Sequence, residues 1–200
     1  MTNEEYSART SSKILQAATH LFAIYGYEAV AVKQITDMAG VNSALISYYF
    51  GGKKNLYQKV LTTQMDVFKE LINSISSLNI PPLEKLQRYV HALSDFQKDN
   101  ANAVRLIYRE ILTPQPMLEN FVRDKLYMLH IFMKGLISES IQNGTLHTHI
   151  IPTHAAFTIE GIILFYFLMH KEVRELGEFA PGEEGRYLEE TLCTYIESLK

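Results

Sequence analysis

The chain has 200 residues, of which 47% are hydrophobic and 20% charged, with a formal net charge of −3. This is ordinary soluble globular material, long enough for one small domain joined to a larger one. The single cysteine, Cys193, excludes an intrachain disulfide, and the longest apolar stretch, residues 161–169, is far short of the roughly 20 residues of a membrane span. The polar first ten residues lack the apolar core of a signal peptide, so we expect a cytoplasmic protein.

Charge is unevenly distributed along the chain. Residues 1–60 carry six basic and four acidic side chains, a net charge of +2, which leaves −5 for residues 61–200. A modest basic excess predicts a local footprint on a few phosphates and argues against a nonspecific coat on a polyanion. The positive end of the chain is therefore the candidate surface for nucleic acid.

The first elements are short helices. Residues 1–10 are polar and are predicted to form a loose arm. Apolar residues then recur at helical spacing from Ile14 to Tyr25 and stop at Gly26, and a shorter apolar stripe over residues 32–39 ends at Gly40. With the helix that follows, this order predicts a three-helix bundle of the helix-turn-helix type.

The third helix is predicted over residues 42–50. Asn42 is placed to cap it by accepting a backbone N–H, and Ile46 and Phe50 lie one turn apart as core residues. Its outer face is small and polar, which suits a helix that enters the major groove of DNA. Two glycines at 51 and 52 end the helix, and a lysine pair at 53 and 54 begins the next one, where phosphates of a bound duplex would be close.

These residues resemble the TetR family of transcriptional regulators. The resemblance spans about residues 11–61 and rests on LFAIYGYEA in helix 1, VKQITDMAGV in helix 2 and ISYYFGGKKNLY from helix 3 onwards. It implies that Tyr49 and Lys53 contact phosphate and that the DNA-binding residues are Lys33, Asn42, Ser43, Ala44, Ser47, Tyr48, Tyr49 and Lys53.

Two positions depart from the family pattern. Helix 2 of the family normally begins with a Thr or Ser that caps the helix and also holds a phosphate, whereas this chain has Val30 and Ala31 there. A tyrosine usual in helix 3 is replaced by Ser47. The first departure puts one phosphate contact in doubt, and the second means that the operator sequence cannot be copied from a relative.

Beyond residue 53 the pattern is helical throughout, and no alternating strand pattern competes with it. A long helix leads from Lys53 towards the paired prolines at 81 and 82, and further helices are predicted over 82–99, 103–112, 117–141, 152–175 and from 183 to the end. The predicted fold class is all-α. A three-helix helix-turn-helix DNA-binding domain at residues 1–52 precedes an all-helical effector-binding and dimerisation domain at residues 53–200.

The last two long helices are predicted to form the interface of a homodimer. Small residues keep one surface of the helix after Pro152 thin, which suits close packing against a neighbouring helix. Family resemblance implies the same interface, for which the candidate residues are Ala156, Gly161, Tyr187, Leu188, Leu192 and Tyr195. The sequence alone also allows these apolar faces to complete the core of one chain.

The body is rich in aromatic, methionine and histidine side chains, a composition that suits an apolar pocket with a few polar groups. Most of them are equally suited to a plain core. Arg109 and Glu110 lie inside an apolar helix, where an ion pair competes with a ligand contact as their role. The candidate ligand-binding residues are His91, Phe96, Tyr108, Arg109, Phe121, Tyr127, His130 and Phe165.

An enzyme or metal-binding protein is the alternative. His147, His149 and His154 lie close in sequence and, with Glu160, offer nitrogen and oxygen ligands to zinc or nickel. Their spacing fits no metal motif, and FGGKK lacks the first glycine and the final Ser or Thr of a phosphate loop. We therefore expect no metal, no cofactor and no catalysis.

The sequence thus predicts a transcriptional regulator, a homodimer that binds double-stranded DNA at a palindromic operator. The resemblance to the TetR family implies repression as the usual mode, released by a small apolar or amphipathic molecule. The sequence does not identify the operator, the regulated genes or the effector, and it does not decide between repression and activation.

Overall fold

A computed structural model describes residues 2–113, 115, 119–168, 175–177 and 183–200. Its long elements within these ranges are helices, as the sequence predicted for an all-α fold, and none is long and apolar enough to cross a membrane. They are α1 (Asn3–Ala29), α2 (Val32–Ala39), α3 (Ala44–Phe50), α4 (Lys53–Ser76), α5 (Pro82–Asp99), α6 (Ala101–Leu112), α7 (Glu119–Gln142), α8 (Pro152–Leu168) and α9 (Glu184–Glu197).

The start of α1 differs from the prediction. Residues 3–10 are helical, so the predicted loose arm over residues 1–10 is wrong for them. The cause is a capping box, in which Glu5 N–H donates to Thr2 Oγ1 at 3.2 Å and Thr2 N–H donates to the Glu5 carboxylate at 2.8 Å. Thr10 is buried and donates to the Tyr6 carbonyl, which anchors this turn further.

The described residues form two compact units. The first unit comprises those of Met1–Val67 and Ala101–Leu118, and the second those of Phe68–Asn100 and Glu119–Lys200. Helix α4 begins in the first unit and ends in the second. The predicted domain boundary after residue 52 stays a prediction, because a division into compact units does not show which residues act together as a functional domain.

The first unit is built around α1, which packs against α2 and α6. Its core contains the fully buried side chains of Phe22, Ile35, Ile46 and Tyr57. The rings of Phe22 and Tyr57 meet edge to face with centroids 4.8 Å apart, a favoured aromatic geometry. Burying each large apolar side chain contributes about 1.5–3 kcal/mol, so this small core holds the three N-terminal helices together.

Two charged residues of α6 complete the first unit. The Glu110 carboxylate is buried and accepts hydrogen bonds from the Tyr57 hydroxyl and, at 3.1 Å, from the Gln115 N–H. Arg109 donates to the Ile24 carbonyl at 3.1 Å. Each charge is thus satisfied by a different element of the same unit, and α6 is fastened to both α1 and α4.

Gly26 makes the contact with Arg109 possible. Its φ of 80° interrupts the helical geometry of α1, and a Cβ there would lie 2.3 Å from Arg109 Nη1. The sequence predicted that helix 1 stops at Gly26, whereas the structure shows a break in α1 and a further short helical stretch up to Ala29. Glycine tolerates this left-handed conformation because it has no Cβ.

The second unit is a bundle in which α5 packs against α7 and α9, and α8 packs against α7 and α9. Its core contains the fully buried Leu86, Met133, Ile137 and Ile159. The His147 N–H donates to the Leu199 carbonyl at 3.1 Å, which ties the segment before α8 to the chain end. Within the described residues, the second unit is therefore a helical core in which α5, α7, α8 and α9 pack together.

Candidate functional site

The turn between α2 and α3 has the geometry of a helix-turn-helix. Gly40 lies in the left-handed region, with φ 66° and ψ 41°, and ends α2. Asn42 Oδ1 accepts the Ala44 N–H at 2.8 Å, so the predicted capping role of Asn42 is confirmed. Gly51, also left-handed, ends α3 with its N–H donating to the Ser47 carbonyl. The fully buried Ile46 fastens α3 to the core.

The outward face of α3 is small, polar and exposed. Ala44, Ser47 and Tyr48 are spaced three and four residues apart and share one face, with Asn42 and Ser43 exposed just before them. Tyr48 is 78% exposed, and its ring lies edge to face with that of the half-buried Tyr49. Side chains of this size leave α3 slim enough to enter a major groove.

Lys53 has a partner that the sequence did not suggest. Its Nζ lies 4.3 Å from the centroid of the Tyr27 ring, while its neighbour Lys54 is exposed. The Tyr27 ring also packs against Tyr57, and burial together with the nearby Glu28 raises the pKa of Tyr27. The cation–π contact holds Lys53 at the start of α4, beside the end of α3.

The start of α2 lacks the Thr or Ser cap that is usual in the family, and a hydrogen bond from Ala31 to Gln34 is found there instead. Ala31 has no side-chain acceptor, but the Gln34 side chain accepts the Ala31 N–H at 2.7 Å. This is half of a capping box, and it supports the helix start without a hydroxyl. Lys33 is exposed in the same turn.

The candidate ligand residues do not lie together. Tyr108 and Arg109 belong to the first unit, and the side chains of Phe96 and Phe121 lie outside the described residues. Tyr127 and Phe165 are exposed, and the exposed His91 pairs with Glu189 at 2.7 Å. His130 alone of the described candidates in the second unit is largely shielded, and it pairs with Glu160.

Around His130 the second unit has a polar cluster that the sequence did not reveal. His130 Nδ1 on α7 lies 2.9 Å from Glu160 Oε1 on α8, and the Phe157 ring lies 4.5 Å from the imidazole. Tyr89 on α5 is only 1% exposed, packs edge to face against Phe132, and its hydroxyl finds no hydrogen-bond partner among the described residues. The sequence did not indicate Tyr89 as a candidate functional residue.

Burial dominates the electrostatics of this cluster. It raises the pKa of Tyr89, and the nearby Glu160 carboxylate raises it further. Burial also raises the pKa of Glu160, while the hydrogen bond and charge of His130 act in the opposite direction. The ionised forms of the Tyr89 hydroxyl and of the Glu160 carboxyl are therefore both disfavoured.

The candidate dimer residues need correction. Ala156, Leu188 and Leu192 are fully buried within a single chain and offer no surface to a second copy. Tyr195 is half-buried, and Gly161 and Tyr187 are exposed. Because α8 is apolar on all sides, periodicity could not show which side faces outwards.

The exposed side of α8 is nevertheless strongly apolar. Phe157 and Phe165, two turns apart, are 59% and 58% exposed, and Gly161 lies between them. We call Phe157, Gly161, Phe165 and Tyr187 the apolar face. Large exposed apolar side chains on one face of a helix indicate a surface suited to a protein interface.

The histidines proposed for a metal site do not form one. The rings of His147 and His149 stack with centroids 5.2 Å apart. Within the part of the chain that the structure describes, no group of three His, Cys, Asp or Glu side chains is arranged to hold a metal ion. The metal-binding alternative finds no support in this geometry.

Comparison with known proteins matches the helix-turn-helix directly. Residues 14–60 match the family model of bacterial regulatory proteins, tetR family. The HTH-type transcriptional regulator RutR of Escherichia coli K12 is 29% identical over 171 residues, which covers 86% of this chain and 75% of RutR. The probable HTH-type transcriptional regulator YttP of Bacillus subtilis is 24% identical over 87% of this chain and 84% of its own length.

Solved structures share the fold over most of the chain. The ketosteroid transcriptional regulator KstR2 of Mycobacterium tuberculosis superposes with a TM-score of 0.77 at 18% identity, covering 100% of this chain and 97% of KstR2. From α1 to α9, then, both the helix-turn-helix and the body have counterparts among known regulators. Residues 14–60 thus match the DNA-binding module of the tetR family, and the chain is a DNA-binding transcriptional regulator that resembles TetR-like regulators over most of its length.

Proposed function

We propose that the protein is a homodimeric repressor that reads a palindromic operator with α3 and leaves it when a small molecule binds the second unit. The observation that carries this proposal is the slim polar face of α3, held in place by the Asn42 cap and the buried Ile46. Such a face has no use in packing the chain, since its side chains are exposed. DNA in the cytoplasm is its natural partner.

The proposed DNA contacts fall into two groups, base contacts from α3 and the residues just before it, and phosphate contacts from the residues around it. Asn42, Ser43, Ala44, Ser47 and Tyr48 would meet base edges, where hydroxyls and amides bond and the alanine methyl packs on thymine. Lys33, Tyr49 and Lys53 flank this face and would bind phosphate, which positions the helix without reading sequence. The Asn42 oxygen is already used by the Ala44 N–H, so its amide N–H groups remain for DNA.

Dimerisation would use the apolar face of α8 and α9. Gly161 supports this assignment, because it is exposed between Phe157 and Phe165 and a Cβ added there meets no atom of the described residues within 4 Å. A glycine within a helix costs about 1 kcal/mol relative to alanine, and packing within the chain gives no reason for it. Close approach of a second helix does. Twofold symmetry then requires half-sites roughly 34–36 Å apart, or a multiple of that distance.

Ligand control is proposed from relatives and from the second unit. The regulator AibR, solved in complex with isovaleryl coenzyme A and operator DNA, superposes with a TM-score of 0.70 at 21% identity over 79% of this chain and 85% of its own. A ligand that favours a conformation unsuited to DNA must itself bind the DNA-bound dimer more weakly. A coupling of about 1–3 kcal/mol would change operator affinity some 5–150-fold.

Selection of bound fragments from genomic DNA tests the core of the proposal. We expect enrichment of a palindromic sequence by the wild-type protein. Ser43→Gln should change the enriched sequence more than it changes affinity for random DNA, because residue 43 lies at the start of the recognition helix. Absence of any enriched sequence, together with stoichiometric bound zinc, would overturn it in favour of a metal-dependent function.

A further inference from the structure

We propose that the His130–Glu160 pair makes the homodimer sensitive to pH, so that two copies associate while each pair holds one proton and separate when the pairs lose it. This inference rests on the proposed function, because it takes the apolar face as the surface that meets the second copy. The pair joins α7 to α8, with His130 Nδ1 lying 2.9 Å from Glu160 Oε1. A change in its charge therefore acts on whatever covers α8.

The pair lies at the edge of the apolar face. The Phe157 ring is 59% exposed and lies 4.5 Å from the imidazole of His130. Glu160 directly precedes the exposed Gly161 and follows Phe157 by about one helical turn. The His130 and Glu160 side chains keep 13% and 24% of their surface exposed. A second copy packed on Phe157 and Gly161 would therefore cover the surface through which water reaches the pair.

Charge decides how well the pair tolerates this burial. With one proton between them, the imidazole and the carboxyl group are neutral overall, whichever of the two holds it. Without that proton the pair carries one negative charge, and removing an uncompensated carboxylate from water is costly. Burial already raises the pKa of Glu160, which favours retention of the proton. Dimerisation adds burial, so the dimer binds the proton more tightly than the monomer does.

Other titratable groups surround the pair. The packed elements contribute Tyr89 from α5, Tyr187 from α9 and Lys134 one turn along α7. Tyrosine and lysine side chains ordinarily titrate near pH 10, above the range of about pH 6–8 in which a histidine paired with a carboxylate loses its proton. His154, exposed on α8 one turn before Phe157, is a second histidine of this surface. Its protonation would add a charge to a covered surface, so its effect on dimerisation has the opposite sign.

The dissociation constant of the full-length dimer, measured by sedimentation at about pH 6, 7 and 8, tests this inference. Two symmetric pairs release up to two protons, so we expect the Kd of the wild type to rise about 10–100-fold across this range. Glu160→Gln should keep a low Kd at the highest pH, because no carboxylate charge is left to bury. His130→Gln keeps an N–H donor for Glu160 but does not titrate, so its dimer should be weak throughout.

His91→Gln is the matched control. His91 and Glu189 form another histidine–carboxylate pair, 2.7 Å apart, but both side chains are more exposed than those of His130 and Glu160. Glu189 also follows Tyr187 by two residues, so it points away from the apolar face of α9. His91→Gln and His154→Gln should each retain at least the wild-type rise in Kd.

The inference is overturned if the Kd of the wild type does not change with pH, or if Glu160→Gln and His130→Gln keep the wild-type rise. It is also overturned if His91→Gln abolishes the rise, since the exposed pair would then be responsible. Thermal unfolding identifies the folded variants, and either variant of the pair suffices for the comparison. A wild type that is monomeric at every pH refutes the proposed homodimer as well, whereas a dimer of constant Kd refutes only the pH sensitivity.

Discussion

The two units treat buried polar side chains differently. In the first unit, Tyr57 donates to Glu110, and Glu110 also accepts from the backbone of residue 115. In the second unit, Tyr89 is equally buried but its hydroxyl has no partner among the described residues. A satisfied network fixes one arrangement, whereas a buried hydroxyl without a partner lowers the stability of the folded state. The buried polar groups of the first unit are thus preorganised, and the second unit keeps one unsatisfied hydroxyl among its described residues.

The exposed surfaces of the two units also differ in polarity. Helix α3 exposes small polar side chains, and α8 exposes Phe157 and Phe165 with a glycine between them. The first surface suits a hydrated, charged duplex and the second suits a dry protein interface. Each unit therefore carries the chemistry of one macromolecular partner, and each difference can be tested by substitution.

The largest effect is expected from Gly161→Leu. Residue 161 is exposed and a Cβ there meets no described atom within 4 Å, so we expect the monomer to keep its stability, whereas the leucine side chain would hold two α8 helices apart. Loss of the dimer removes the second half-site, and operator affinity should fall roughly 10²–10⁴-fold. Sedimentation velocity and operator titration measure the two effects.

Gly135→Leu is the matched control for this change. Gly135 lies on α7, and a Cβ added there also meets no atom of the described residues within 4 Å, but Gly135 is not part of the apolar face that flanks Gly161 with the exposed Phe157 and Phe165. We expect this variant to remain dimeric and to bind the operator as the wild type does. A Gly161→Leu protein that stays dimeric would remove the apolar face from the interface.

A pair of tyrosine variants sharpens the contrast between the two interiors. Tyr57→Phe should lower the free energy of unfolding by about 1.5–3 kcal/mol, because the buried Glu110 carboxylate loses a donor. Tyr89→Phe should leave it unchanged or raise it, since no hydrogen bond is lost. Urea unfolding of both variants measures the difference. Equal destabilisation would mean that the two hydroxyls are equally satisfied and would abolish the contrast.

The sequence predicted the local features and missed those that depend on distant partners. The turn glycines, the Asn42 cap and the span of α5 follow from neighbouring residues, so the sequence contains them. Arg109 and Glu110 remained undecided because their partners Ile24 and Tyr57 lie 85 and 53 residues away. The N-terminal helix could have been predicted from the Thr2 and Glu5 capping box, which outweighs polar composition.

The site was predicted unevenly for the same reason. On α3, an amphipathic pattern separates the buried Ile46 from the outward residues. On α8, apolar residues occur on every side, so Ala156 was predicted to lie in the dimer interface although it is buried within one chain. Tyr89 could not be distinguished from any other core tyrosine, because only the packed structure shows whether a buried hydroxyl has a partner.

A smaller effect is expected at the edge of the DNA-reading surface. Lys53→Ala should weaken binding to operator and to random DNA by a similar factor and reduce the slope of log K against log salt by about one, as for one lost phosphate contact. Affinity measured between low and moderate salt gives this slope. Lys54→Ala is the control for charge alone, because Lys54 is exposed and only Lys53 is held over the Tyr27 ring. An unchanged slope for Lys53→Ala would exclude the contact.

The smallest expected effect is a pH dependence from the second unit. The folded state raises the pKa of Glu160 above its ordinary value of 4.5, so the folded protein holds this proton more tightly than the unfolded chain. That contribution is complete below the ordinary pKa and is lost as pH rises through the folded one. Glu160→Gln should therefore gain stability relative to the wild type between acidic and neutral pH, measured by urea unfolding. A difference that is constant with pH would show that Glu160 ionises freely.

The start of α2 lacks the hydroxyl that, in the family pattern, both caps the helix and binds a DNA phosphate, and Gln34 forms a hydrogen bond there instead. In the usual family pattern, a Thr or Ser both starts the helix and grips the DNA backbone, so neither task can change alone. Here the Gln34 side chain accepts the Ala31 N–H, and Ala31 itself offers no side-chain acceptor to the first turn of α2. Replacing Ala31 with Ser or Thr is therefore expected to keep the hydrogen bond to Gln34 while it adds a hydroxyl at the start of α2.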